Sequence, residues 1–313
     1  VLAYAVRRLA ATVPVMLVVA VFVFSLLHLS PGDPAIVIAG DQASPTDVAR
    51  IRETLGLDRP YLEQFVGWLG RAVRGDLGQS IFSNLPVSHL IAQRIEPTLM
   101  LMLLTVAIAV SVAVPLGVLA AWTAGRWIDR VLMAAAVLGF SVPVFVTGYL
   151  LAWLFALQLE WLPVQGYVPL AEGLWACVRS LLLPALALGS VYVALIARVT
   201  RATMLEVLGQ DYMRTARAKG LAPAPLLFVH ALKNAAVPIV TVIGLGIALL
   251  IGGAVVTESV FAIPGLGRLV VDAILRRDYP VIQGVVLLCS FVYVAINLAI
   301  DLLYTLLDPR IRY

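Results

Sequence analysis

The sequence predicts an all-α integral membrane protein: six transmembrane helices plus a small helical subdomain outside the membrane. Three observations predict it. Of 313 residues, 62% are hydrophobic and 13% charged, with a mean hydropathy of +1.00; soluble domains are nearer about 45–50% apolar and ~25% charged. Six stretches approach or exceed the roughly 20 residues a span needs: 9–29, 97–124, 131–157, 181–196, 235–257 and 281–307. Inside them the only acid is Asp301, near the end of the sixth. Lipid offers the backbone no hydrogen-bond partners, so each stretch must be a helix.

The first stretch follows Arg7 and Arg8 as a signal peptide would. It is too long for a cleaved apolar core and lacks an AxA-like site, so it is read as the first span. Next comes the segment 30–96. Ser44, Pro45, Thr46 and Asp47 form a capping box with proline at the first helical position, and Gly56 ends that helix. Val48, Ile51 and Leu55 fall on one face. A second helix, starting near Asp58, is expected to bury Leu62, Phe65, Val66 and Leu69. A third, over 87–95, is expected to bury Leu90, Ile91 and Ile95.

The remaining spans carry proline at Pro115, Pro143 and Pro184, as Pro14 does in the first, with Pro238 near the start of the fifth. Each removes a backbone bond and permits a kink. Gly244, Gly246, Gly252 and Gly253 thin the fifth span and allow close helix approach. Such features serve either static packing or a lining that moves. Ser141, Thr147 and Thr241 are expected to bond their own helix backbone rather than to line a passage.

Placing the N-terminus in the cytoplasm puts Arg126, Arg130, Arg198, Arg201, Arg214, Arg217, Lys219, Lys233, Arg310 and Arg312 on the same side as Arg7 and Arg8. The short outer loops then hold only Arg179, Arg268, Arg276 and Arg277. Both termini are therefore expected to be cytoplasmic, and 30–96 extracytoplasmic. The chain divides into a tail and first span (1–29), an outer subdomain (30–96) and a core (97–313) with a long cytoplasmic loop, 198–233.

Several chemistries are excluded. The net charge of +4 is scattered between apolar spans, with no basic stripe for nucleic acid. Cys177 and Cys289 have no CxxC spacing, and His28, His89 and His230 stand far apart, so no metal site is expected. No nucleophile–base pair appears, and the chain is not expected to be an enzyme. A phosphate-cradling Walker loop needs G-x-x-x-x-G-K-[ST]. The only lysines, Lys219 and Lys233, precede Gly220 and Asn234, so this chain has no such loop.

Two segments outside the membrane carry functional expectations. Residues 206–221, EVLGQDYMRTARAKGL, are expected to form one cytoplasmic helix, with an acid at its start, basic residues near its end and Gly220 at its stop. About 14 residues of helix would reach ~20 Å. Charge alone reads this as a topology signal. In 258–278, Phe261, Pro264, Gly265 and Gly267 suggest a tight turn and then a short helix ending near Arg277. That segment is a candidate outer gate or docking site through Glu258, Phe261, Pro264, Gly265 and Gly267; the alternative is a structural plug.

The letters DYMRTARAKGL resemble the coupling loop of binding-protein-dependent ABC importer permeases of the dipeptide/oligopeptide/nickel family. The family's generic loop reads EAA, three residues, then glycine. Ala216 and Gly220 match, while Arg214 and Thr215 replace the first two letters, as is typical of the peptide branch. The resemblance runs end to end through VFVFSLLHLSPGDP, LGLDRPYLEQFVGWLGRAVRGDLGQS, LEWLPVQGY, ESVFAIPGLGRLVVDAILRRDYPVIQG and DLLYTLLDPRIRY, and is strongest to the B-type dipeptide permease subunit. It implies the type I importer permease fold and half of a translocation pathway for short peptides. Implied partners are a second, homologous permease in a heterodimer, two ATP-binding cassette ATPases, an extracytoplasmic solute-binding protein and the lipid bilayer. ATP and magnesium would be bound by the ATPases and no cofactor by this chain. By the same resemblance Asp211, Tyr212, Arg214, Thr215, Ala216, Arg217, Ala218, Lys219 and Gly220 would couple to an ATPase, with Tyr212 as anchor. Relatives also carry nickel chelates, glutathione or other small solutes. A secondary transporter would usually carry intramembrane acids or histidines, and the predicted span centres hold none; a passive channel or receptor is the other rival.

Overall fold

The computed structural model describes residues 2–29, 34–39 and 44–307. Among them every regular element is helical apart from one isolated bridge between Gln79 and Pro86. The helices are α1 (Leu2–Leu29), α2 (Pro34–Ala39), α3 (Pro45–Leu55), α4 (Tyr61–Val73), α5 (Val87–Trp122), α6 (Trp127–Ser141), α7 (Val144–Leu151), α8 (Leu174–Leu208), α9 (Asp211–Ala218), α10 (Pro223–Pro225), α11 (Leu232–Val260), α12 (Leu266–Arg276) and α13 (Tyr279–Leu307). π-helical turns extend α7 over Ala152–Gln158 and join α10 to α11 over Leu226–Ala231. Five helical stretches are long and apolar enough to cross a membrane, six if the bent α6–α7 pair is one span.

The chain forms two compact units, one of Pro97–Pro264 with Ile296–Tyr313, the other of Leu2–Glu96 with Gly265–Ala295. In the first, α8 is the central helix. Two thirds of its apolar window is buried (67%). Its small residues Ala185, Ala187, Gly189, Ala194 and Ala197 are all buried, and small side chains let helix backbones approach. Leu101 of α5, Leu181, Leu183 and Leu188 of α8, Leu250 of α11 and Ile263 fill the core around it. α5 comes close to α8 at Gly117. A Cβ there would meet the Thr200 side chain and, at 2.8 Å, the Ala197 carbonyl of α8. The fifth-span glycines behave similarly: Gly244 lies against Ile300, Gly246 against Tyr192 and Gly253 against Leu188, while Gly252 meets nothing.

In the second unit α4 packs on α1 through an aromatic cluster. The Phe24 ring lies 5.3 Å from Tyr61 and 5.5 Å from both Phe65 and Trp68. The Tyr61 hydroxyl shares a 2.7 Å hydrogen bond with Ser25 Oγ. α12 packs against the start of α13 and Val87 through Leu266, Leu269, Ala273, Val281 and Val285.

The capping box is present as expected. Ser44 Oγ accepts from the Asp47 amide and Asp47 Oδ2 accepts from the Ser44 amide, with Pro45 opening α3 and Gly56 closing it at φ 64°. Ser141 and Thr241 bond the carbonyls of Val137 and Val237, four residues back.

The kink that Pro143 permits is present, and the third span bends by 102° between α6 and α7. Pro143 holds the preceding Val142 in extended geometry, φ −85° and ψ 126°, which no helix continues through. Two other expectations are corrected. The predicted 87–95 helix is the first part of α5, which runs unbroken past Pro97 and Pro115. On α4 the buried residue is Trp68, whereas Leu62 and Val66 are exposed at 72% and 63%; the face packed on α1 is one residue column over from the one expected. Two acids lie at the ends of these helices, Asp129 in the first turn of α6 and Glu258 in the last turn of α11, and both are buried.

Candidate functional site

The segment 206–221 is not one helix. α8 ends at Leu208, Gln210 is extended at φ −69° and ψ 150°, and a separate eight-residue helix, α9, starts at Asp211. Eight residues give only ~12 Å. The break falls at Gly209 and Gln210, where glycine costs a helix about 1 kcal/mol relative to alanine. α9 stops where Gly220 adopts φ +80°, with its amide bonded to the Arg217 carbonyl. A Cβ at Gly220 would meet nothing, so only backbone conformation calls for glycine there.

α9 is fixed to the core by a residue that sequence reasoning passed over. Met213 is fully buried among Met204 of α8, Val118 and Ala121 of α5, and Leu226, Leu227 and Ala231 of the π-helical turn. Ala216, half-buried, joins the same cluster. The signal was available, since Met213 is the one large aliphatic side chain in a helix otherwise polar or small. Asp211, Tyr212, Arg214, Thr215, Arg217, Ala218, Lys219 and Gly220 are exposed. Arg214 pairs with Asp211 at 3.5 Å, but both are largely solvated, and such pairs contribute little. Thr215 Oγ1 donates to the Asp211 carbonyl. The Arg217 guanidinium lies 5.6 Å over the Trp122 ring at the end of α5, a cation–π contact that ties α9 to a second long helix. The exposed face therefore consists of Asp211, Tyr212, Arg214, Thr215, Ala218 and Lys219, held on a short rigid helix.

Ten residues before α9, α8 carries a second fixture. Arg201 Nε and Nη2 donate to Asp129 Oδ1 and Oδ2 at 2.6 and 2.7 Å, a bidentate pair. Asp129 Oδ2 also accepts from the Gly125 amide at 3.0 Å. Asp129 is 4% exposed and lies in the first turn of α6, where the helix dipole favours a negative charge. The α5–α6 turn is thereby clamped to α8.

The residues of 258–278 are packed inward. Glu258 is fully buried, and Thr98 Oγ1 of α5 donates to its Oε1 at 2.6 Å. Phe261 is buried with its ring against Gly148 of α7, and its carbonyl accepts from the Gly166 amide at 3.0 Å. Pro264 is half-buried; Gly265 and Gly267 are buried, the latter two opening α12. The expected turn and short helix are present, and α12 ends at Arg277 in the left-handed region, φ 56°. Asp278 then holds the loop between α4 and α5: Ser80 Oγ and the Ile81 amide both donate to it, at 2.5 and 3.2 Å. Among the described residues no group of three His, Cys, Asp or Glu could hold a metal.

Residues 113–313 match the family described as binding-protein-dependent transport system inner membrane component, and residues 1–103 match that system's N-terminal membrane component. A probable peptide ABC transporter permease protein of Sinorhizobium fredii is 55% identical over 99% of both chains. A putative peptide transport system permease of Brucella abortus is 49% identical over 98% of both, and the glutathione transport system permease GsiC of Escherichia coli 44% over 99% of both. Among solved structures, a chain of the MetNI methionine ABC transporter in inward-facing form superposes with a TM-score of 0.59 at 19% identity. It covers 70% of this chain and 96% of that one, a likeness of fold.

Proposed function

Because the chain belongs to the family of binding-protein-dependent transport system inner membrane components, we propose that it forms half of the pathway of a short-peptide importer and receives the work of ATP hydrolysis through α9. The observation that carries this is the combination at α9: one face is locked into the core by Met213, and the other presents Asp211, Tyr212, Arg214, Thr215 and Lys219. A helix meant only to set topology needs its charges but not a buried anchor.

In this reading α9 occupies a groove on a cytoplasmic ATPase, and both termini are cytoplasmic. Motion of the ATPase pushes α9, and the Met213 cluster passes the push to α8, α5 and the π-helical turn before α11. The Asp129–Arg201 clamp makes the α5–α6 turn move with α8. A peptide cannot cross lipid unaided, since each desolvated amide without a partner costs several kcal/mol. The bundle must therefore offer a polar route closed at one end at a time, and an energy source must bias the two states. This chain has no Walker loop, so that bias comes from the ATPases. A second permease completes the pathway, and a solute-binding protein delivers substrate at the end where 30–96 forms the outer subdomain of a permease core over 97–313.

Short peptides are the favoured cargo because the 55% and 49% identical relatives carry peptide in their names. The 44% identical permease named for glutathione, itself a tripeptide, supports glutathione as the second reading. Uptake of labelled di- and tripeptides against labelled glutathione separates the two. The coupling role is tested by Gly220→Asp. Forcing a side chain into the left-handed region there costs about 1–2 kcal/mol and misdirects the end of α9. Transport and ATPase co-purification should both fall; survival of both would remove α9 as the coupling element.

A further inference from the structure

We propose that α4 is an interfacial helix, with Leu62, Val66 and Val73 embedded among lipid at the C-terminal end of α1. At 3.6 residues per turn α4 divides into three sectors. Phe65, Trp68 and Ala72 face α1, where Phe65 and Trp68 stack against Phe24. Glu63, Gly67, Gly70, Arg71 and Arg74 form a polar or small sector. Between them runs a third stripe, Leu62, Val66, Leu69 and Val73, spaced by four, three and four residues. Leu69 is half-buried at the seam with α1, but Leu62, Val66 and Val73 are 72%, 63% and 80% exposed. A helix with three large apolar side chains in water has no physical reason to hold that pattern.

Lipid is the occupant because the stripe adjoins a surface that already faces it. α1 is a span of which only 17% is buried, and it exposes Val18, Phe22 and Leu29. α4 is fastened to that same helix near its end, through Phe24, His28 and the Tyr61–Ser25 hydrogen bond. Tyr61 and Trp68 have the amphipathic rings that concentrate at the membrane–water boundary. Arg71 and Arg74 supply the basic polar face of an interfacial helix, at headgroup level. The apolar surface of the span thus continues onto α4.

The test uses the assembled importer in phospholipid nanodiscs, with nitroxide labels at Leu62→Cys, Val66→Cys and Val73→Cys and at the polar-sector positions Glu63→Cys and Arg74→Cys, in a background with Cys177 and Cys289 replaced by alanine. Collision with oxygen should exceed collision with a water-soluble nickel chelate at 62, 66 and 73, and the order should reverse at 63 and 74. Greater nickel collision at 62, 66 and 73 would mean water covers the stripe, and shielding from both reagents would mean a protein partner does; either result overturns the proposal. In the unsubstituted importer a photoactivatable phospholipid should leave adducts within 61–73. Adducts on α1 with none on α4 would also overturn it.

Discussion

Arg201 of α8 grips Asp129 of α6 with two hydrogen bonds of 2.6 and 2.7 Å, and the same carboxylate holds the Gly125 amide of the turn between α5 and α6. One buried acid thereby joins α6 and the α5–α6 turn to the helix that leads to α9. Removing one partner of a buried pair strands the other charge, which typically costs about 3–5 kcal/mol. Arg201→Leu should therefore lower the thermal unfolding temperature of the purified importer sharply. Asp129→Asn with Arg201→Gln should recover part of that loss, because no uncompensated charge remains. A double-variant loss equal to the sum of the separate Asp129→Asn and Arg201→Gln losses would show that the two side chains are not coupled.

Met213→Ala should separate folding from coupling. Truncating a buried methionine costs about 2–5 kcal/mol at a site that cannot collapse, but α9 is a terminal appendage of its core cluster. The chain should still insert, while protease access to 209–222 rises and peptide uptake falls. Tyr212→Ala removes exposed surface instead, and should reduce uptake with no change in protease access. Uptake unaffected by Met213→Ala would mean the anchor is irrelevant to transport.

The Thr98–Glu258 pair predicts a graded series. Glu258→Gln retains a carbonyl oxygen that Thr98 can donate to, whereas Glu258→Ala leaves a cavity and takes that acceptor away from Thr98. Losing such a bond in a buried site costs roughly 1–3 kcal/mol. Unfolding temperature should fall little for glutamine and clearly for alanine. A clear and equal fall for glutamine and alanine would show that the negative charge itself, rather than the hydrogen bond, is what the site keeps.

The capping box on α3 gives a pH dependence. Hydrogen bonds from Ser44, first its hydroxyl and then its amide, hold the Asp47 carboxyl below the ordinary carboxylate range. A depressed folded-state pKa stabilises the helix start above the unfolded value of about 4, and the stabilisation is lost as pH falls through the lower folded value. Amide protection at the start of α3, measured as the exchange rate relative to that of an unstructured chain at the same pH, should fall on acidification below about pH 4, and Asp47→Asn should abolish that response. Protection indifferent to pH in the unsubstituted protein would refute the linkage.

What could be read in the sequence was local. The capping box, the Gly56 and Gly220 stops and the turn before α12 each depend on residues a few positions apart, and each was found where the letters placed it. The ABC importer permease fold was legible from hydropathy and from motifs along the whole chain. The features that needed a distant partner were not legible. Asp129 reads as a loop acid until Arg201, 72 residues away, comes against it. Glu258 lies just past the point where hydropathy falls off, and only Thr98 explains why the helix carries it into the core. Met213 looked like one letter among basic ones until the π-helical turn closed over it. On α4, periodicity located a helix but could not decide which of two adjacent apolar columns meets α1.

The account depends on α9 meeting a separate ATPase on the cytoplasmic side. The most direct test is a single cysteine, Arg214→Cys, in the assembled importer, treated with a short bifunctional cross-linker after membrane preparation and with an impermeant maleimide on intact cells. The account predicts a covalent product between this chain and the ATPase subunit, and no labelling from outside. Labelling by the impermeant reagent in intact cells, or an α9 that cross-links to no other polypeptide, would contradict it.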